Sequence, residues 1–166
     1  MMITLKRYEN EENQILPLIQ GFWKEHSHYD QSESEAREDL SNWTKPGHAI
    51  YFIQNNGATV GFAHLGSRGG KMDWLEDLFI VPERQGKGFG SEAIHQLEEM
   101  VKQYSVSLYI EAAARNEAAI RLYRKLGYDC LNTITIRKDF PGYEYDIVRK
   151  EQIHCMEFEI RKDKDI

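Results

Sequence analysis

The stretch Val81-Pro82-Glu83-Arg84-Gln85-Gly86-Lys87-Gly88-Phe89-Gly90-Ser91 joins an apolar strand pattern over residues 72–81 to a helical pattern over residues 88–103. Closely spaced glycines let a backbone turn tightly and bring N–H groups toward an anion. The first turn of the following helix adds donors and a favourable dipole, which suits a phosphate or pyrophosphate. Spacing excludes two nucleotide loops. A Walker loop needs Ser or Thr after its lysine, and Lys87 is followed by Gly88; the dinucleotide fingerprint needs a third glycine where Ser91 stands. Taken alone, the segment reads as an anion-binding turn or as a purely structural one.

Working outward, residues 2–6 read as a first strand. Residues 11–26 carry Ile15, Leu18, Ile19, Phe22 and Trp23 at helical spacing, with Pro17 expected to start or bend that helix. Ser32 and Glu35 make a capping box for a second helix toward Trp43, stopped by Lys45-Pro46-Gly47. Residues 48–54 and 58–65 pair as a hairpin across Asn55-Asn56-Gly57, and residues 66–70 form another turn. Beyond the glycine turn, Ile94, Leu97 and Val101 share one helix face. Residues 105–111 read as a strand, and residues 116–126 as a helix closed by Gly127. Strands are expected over 128–138 and 153–160, with a break at 140–144 and a frayed tail at 162–166. The order β-α-α-β-β-β-α-β-α-β-β predicts an α/β (α+β) fold, a mixed central sheet with helices on both faces, as a single domain over 1–166.

Composition narrows the classes further. A formal net charge of -6 argues against a nucleic-acid binder, which normally shows a basic face, and is compatible with attracting a cation. The amino terminus lacks a basic segment followed by an apolar stretch, and nowhere do ~18 apolar residues run together. No membrane partner is expected, and a cytoplasmic location is the default. Cys130 and Cys155 lack zinc-ligand spacing and are too few for a disulfide scaffold, so they read as buried or semi-buried side chains. His26 and His28 form no defensible metal pair; no metal is expected. Trp23, Trp43 and Trp74 are expected to serve as core.

Two motifs then carry a resemblance. Gln85-Gly86-Lys87-Gly88-Phe89-Gly90 fits Arg/Gln-x-x-Gly-x-Gly/Ala, preceded by Leu78-Phe79-Ile80-Val81-Pro82. Asn116, Ala119 and Tyr123 fit Asn-x-x-Ala-x-x-x-Tyr, followed by Lys125-Leu126-Gly127-Tyr128. In this order, on these elements, the chain resembles the GCN5-related N-acetyltransferase superfamily over nearly its whole length. The resemblance implies the acyl-CoA N-acyltransferase fold and acetyl-CoA (coenzyme A) as cofactor. It also implies acetyl transfer to a primary amine, with a small cationic acceptor favoured. Peptide or protein amines, aminoglycosides and a noncatalytic acyl-CoA-binding module are the alternatives.

The same resemblance implies roles. Gln85, Gly86, Lys87, Gly88, Phe89 and Gly90, with Ser91, would hold the pyrophosphate of coenzyme A. Exposed backbone at Phe79, Ile80 and Val81 would meet the pantetheine arm or thioester, and Asn116 the cofactor arm. Tyr123 would protonate the departing thiolate; read from spacing alone, Tyr123 is equally a packing residue beside Ile120 and Leu126. Leu75-Glu76-Asp77 is similar to a run in polyamine acetyltransferases, which makes Glu76 the candidate base or substrate anchor. Strand alternation puts Glu76 and Asp77 on opposite faces unless a bulge intervenes. Glu111 could bind an acceptor cation, and His26, Tyr29 and Asp30 lie where such folds often build the acceptor pocket. The segment 139–151 is read as remodelling the acceptor mouth or as a homodimer contact.

Overall fold

A computed structural model describes residues 2–164. The chain divides into two compact units, Met1–Glu111 and Ala112–Ile166. The first holds β1 (Ile3–Arg7), α1 (Glu12–Ser27), α2 (Glu33–Trp43), β2 (His48–Asn55), β3 (Ala58–Gly66), β4 (Trp74–Ile80), α3 (Phe89–Val101) and β5 (Tyr109–Ile110). Its strands form one sheet in the order β1-β2-β3-β4-β5. Neighbours run antiparallel except β4 and β5, which are parallel, so the sheet is mixed as expected.

Burial on both faces explains why β2 reads as an unbroken apolar run. Ile50 and Phe52 join Phe62 and Phe79 in a cluster with Ile15, Ile19 and Phe22 of α1 and Ala36 and Leu40 of α2. The alternating residues Ala49, Tyr51 and Ile53 are also buried, which a single covered face would not require. Helix α3 packs on β1, β2 and β4 with Ala93, Ile94, Leu97 and Val101 buried. Trp23 and Trp43 pack against the α1–α2 cluster. Pro17 lies inside α1, whose helical run begins earlier, at Glu12. The Ser32–Glu35 capping box forms, satisfying donors that open helix α2.

The second unit holds α4 (Glu117–Lys125) and an antiparallel hairpin of β6 (Tyr145–Ile153) and β7 (Met156–Asp163). Several expectations are corrected by the structure. Residues 128–138 form no strand, and Leu131 is 86% exposed, because the ladder partner of β7 is β6. The run expected at 153–160 is broken by a turn at His154 and Cys155, both at positive φ (49 and 64°). That backbone normally selects Asn or Gly, so His-Cys gave no turn signal. Cys130 and Cys155 are free and exposed instead of buried. The strand expected over 105–111 contracts to Tyr109–Ile110. The expected tail at 162–166 starts inside β7, and residues 165–166 lie outside the described residues.

Candidate functional site

One end of the first unit's sheet gathers the chemistry. Leu65 pairs with Leu75 and His64 with Asp77, so Glu76 is an extra residue in β4, a β-bulge. The bulge breaks strict alternation, so that Glu76 approaches His48 of β2 at Gly66 while Asp77 bonds His64 of β3. A methyl group at Gly66 would lie 2.7 Å from Glu76 Cγ and 3.1 Å from His48 Cε1, so the bare glycine lets those two side chains converge.

Arg68, in the turn after β3, donates to both Glu76 oxygens (3.1 and 2.7 Å) and to Glu111 Oε2 (2.6 Å). Its guanidinium carbon lies 3.8 Å from the centre of a Trp74 ring, and Trp74 stacks on Tyr109 at 4.8 Å. Trp74 is therefore a cation platform, not a core side chain. The hydrogen bond to Glu76, the pairing with Glu111 and the charges of both carboxylates raise the Arg68 pKa above its ordinary value. Two carboxylates over an indole thus already hold a planar cation.

Behind this pair runs a chain of three side chains. His48 Nδ1 lies 2.9 Å from His64 Nε2, and His64 Nδ1 lies 2.7 Å from Asp77 Oδ2. His64 is 2% exposed, stacks on Trp43 (4.9 Å) and meets His48 edge to edge. Burial, followed by the neighbouring His64, lowers the His48 pKa; Glu76 opposes this and Lys45 adds to it. His48 also lines a 310 Å³ cleft with Arg7, Tyr8, Glu9, Asn10 and Thr44.

At the other end of β4, the glycine turn has the backbone its sequence implies. Gly86 and Gly88 sit at positive φ (71 and 81°), and Gly88 is the N-cap of α3 with no side-chain cap. The first-turn donors of α3 are left without a side-chain acceptor, the arrangement an anionic group would satisfy. Gln85 braces the turn by donating to the Ile80 carbonyl (2.9 Å), and Lys87 Nζ bonds the Glu83 carbonyl (2.9 Å). The Val81 N–H is not exposed: it donates to the Val60 carbonyl (2.9 Å). The Phe79 side chain is buried, and its carbonyl faces β3 closely enough that a methyl on Gly61 would lie 1.9 Å away. By alternation, the backbone group aimed away from β3 here is that of Ile80.

In the second unit, Asn116 caps α4, accepting from the Ala119 N–H (3.2 Å). Tyr123 lies on α4 with its ring 6.0 Å from that of Tyr128, and burial raises its pKa above the ordinary 10.0. Its phenol therefore stays protonated at neutral pH. Asp30 pairs with Lys24, Tyr29 with Glu35, and His26 stacks on Phe22.

The first unit therefore brings Glu76, Asp77 and Glu111 to one sheet end and Ile80 with Gln85–Ser91 to the other end of β4. Sequence reading missed Arg68, His48 and His64. The available signal was a histidine in the otherwise apolar run Val60-Gly61-Phe62-Ala63-His64-Leu65, since a buried imidazole needs partners for its ring nitrogens.

The acetyltransferase (GNAT) family profile matches residues 13–128, and the chain belongs to that family. It is 31% identical over 100 residues to a mycothiol acetyltransferase of Mycolicibacterium gilvum, covering 55% of this chain and 32% of that protein. It is 34% identical over 67 residues to the [ribosomal protein bS18]-alanine N-acetyltransferase of Escherichia coli K12, covering 40% and 43% respectively. The chain thus matches less than half the length of either relative. Among solved structures, a possible acetyltransferase from Clostridium difficile 630 superposes with TM-score 0.67 at 12% identity, covering 90% of this chain and 100% of that one. An aminoglycoside acetyltransferase from an uncultured soil metagenomic sample superposes with TM-score 0.63 at 14% identity, covering 83% and 95%. These two likenesses are of fold.

Proposed function

We propose that this chain transfers an acetyl group from acetyl-CoA to the primary amine of a small cationic acceptor. The observation that carries the reading is the Arg68 guanidinium held by Glu76 and Glu111 over Trp74: the acidic end of the sheet is already shaped for a cation. Glu76 then acts as anchor for the acceptor's positive charge, with Arg68 keeping its place until the acceptor arrives.

For the cofactor, the uncapped first turn of α3 and the positive-φ glycines before it fit a pyrophosphate, with Gln85, Gly86, Lys87, Gly88, Phe89, Gly90 and Ser91 as the residues that would hold it. Lys87, whose ammonium bonds Glu83, contributes through its backbone N–H. Bound acetyl-CoA supplies the activated carbonyl and the thiolate leaving group. Ile80, whose backbone is aimed away from β3, would meet the pantetheine arm of the cofactor. The family resemblance assigns Asn116 to the cofactor arm and Tyr123 to thiolate protonation, for which the phenol is in its protonated form.

The test is a thiol-release assay with acetyl-CoA against polyamines, aminoglycosides, alanine-terminal peptides and neutral aromatic amines, with product masses confirmed. Acetylation of the cationic small amines ahead of the others supports the reading. Peptide acetylation alone would favour a protein amine, the reading suggested by the ribosomal-protein relatives. Acetyl-CoA binding with no turnover on any acceptor would overturn the enzymatic reading.

A further inference from the structure

With Asp77 ionised and both imidazoles neutral, the His48–His64–Asp77 chain has one polarity. If Asp77 is a carboxylate it accepts from His64 Nδ1–H, at 2.7 Å. Neutral His64 then has a lone pair at Nε2, which must accept from His48 Nδ1–H at 2.9 Å. Neutral His48 is thereby left with its lone pair on Nε2. One carboxylate thus sets the tautomers of two successive imidazoles. His64 is held in place by burial, by the Trp43 ring stacked on it and by its partners at both ring nitrogens. The outer end of the chain is His48, on the open edge of the cleft beside Arg7, Tyr8 and Thr44, and against the same point at Gly66 that Glu76 approaches.

We infer that His48 Nε2 is the general base that takes the proton from the acceptor ammonium, with His64 and Asp77 as positioning residues that fix its tautomer and stabilise its charge. The inference rests on the proposed amine acceptor lying at Glu76. One N–H bond of the ammonium breaks, its electron pair stays on the amine nitrogen as the nucleophilic lone pair, and the proton moves to His48 Nε2. The resulting imidazolium is stabilised through His64 by the Asp77 carboxylate; Asp77 need not itself be protonated, as in shorter Asp–His arrangements. Glu76 is then free to bind charge, and the proton leaves from His48 through the cleft.

The titratable and charged neighbours of His48 are His64 from β3, Glu76 from β4 with Arg68 bound to it, and Lys45 from the segment before β2, while Arg7, Tyr8 and Glu9 line the same cleft. Burial outweighs Glu76, so the ring titrates below its ordinary 6.5 and is neutral at physiological pH, as a base must be.

The experiment pairs kinetics with imidazole ¹⁵N NMR of the whole chain. For wild type, the spectrum should show protonated Nδ1 and bare Nε2 on both His48 and His64, with His48 titrating below 6.5. His48→Asn keeps a donor to His64 and removes the base. It should lower kcat about 100-fold at unchanged acetyl-CoA affinity and abolish the acid limb of the pH–rate profile. Asp77→Asn should leave His48 in place, shift its titration and lower kcat more than it changes KM. An Nδ1-bare His48, or a His48→Asn enzyme with kcat within about twofold and its acid limb intact, overturns the inference. Should no amine turn over, the functional reading fails separately, and the tautomers and titration of His48 still decide whether the chain is polarised as stated.

Discussion

Replacing Arg68 with alanine should increase apparent affinity for a cationic acceptor. In the resting protein the guanidinium makes two bonds to Glu76, one to Glu111 and lies on Trp74. Exposed ion pairs of this kind contribute about 0.5 kcal/mol each, and a cation over a partly exposed indole about 0.5–1 kcal/mol. Measured ion-pair values already contain the entropy of holding the side chain, so the two ion pairs and the ring contact total about 1.5 kcal/mol of closure to be undone. Closure of that size divides apparent affinity about tenfold, because only the open fraction binds. Arg68→Ala should therefore lower KM for a polyamine about tenfold, while KM for acetyl-CoA and for a neutral aromatic amine stays unchanged. The gain should shrink as salt approaches 1 M, where screening acts over about 3 Å. Initial-rate kinetics over both substrates at two ionic strengths measure this directly. A polyamine KM that is unchanged or raised would refute the idea that Arg68 occupies the acceptor's place, and would make it a structural clamp.

Other outcomes follow from single residues. Gly61→Ala would set a methyl 1.9 Å from the Phe79 carbonyl oxygen, a backbone atom that cannot rotate away, so urea denaturation should report a loss of about 3 kcal/mol; a loss below about 1 kcal/mol would mean that β3 and β4 separate easily there. Tyr123→Phe removes only a hydroxyl and should lower kcat about 100-fold with the fold intact by circular dichroism; full activity with chemistry rate-limiting would leave Tyr123 a packing residue. Glu35 is held at about 2 by the Ser32 hydroxyl first, then by Tyr29 and the Ser32 N–H. A depressed carboxylate stabilises above its unfolded value and loses that contribution as pH falls. The stability gap between wild type and Glu35→Gln should therefore close as pH drops from 4.5 toward about 2, and a pH-independent gap would contradict it.

What could be read from the sequence was local. The glycine turn is legible because each residue's backbone demand sits within one short segment, and Gly86 and Gly88 adopt the positive φ it implies. Strands β2 and β3 are legible because both their faces are buried, and so is the capping box at Ser32. What escaped depends on pairing between distant segments. Nothing near Leu131, Ile134 and Ile136 signals that β7 will pair with β6 in preference to them. Alternation along Trp74-Leu75-Glu76-Asp77-Leu78 could not show that β3 skips Glu76, because a bulge belongs to a pair of strands and leaves no mark on one. The skip has an electrostatic consequence that ties the site together. It lets two consecutive carboxylates work at one end of the sheet, where they would repel unless each had its own partner. Arg68 answers Glu76 with a charge from the turn, and His64 answers Asp77 with a ring N–H from inside β3. The first partner is half-exposed and exchangeable for another cation, whereas the second is buried and fixed. From one irregularity the protein thus gains a carboxylate able to bind a cation and another able to orient a base.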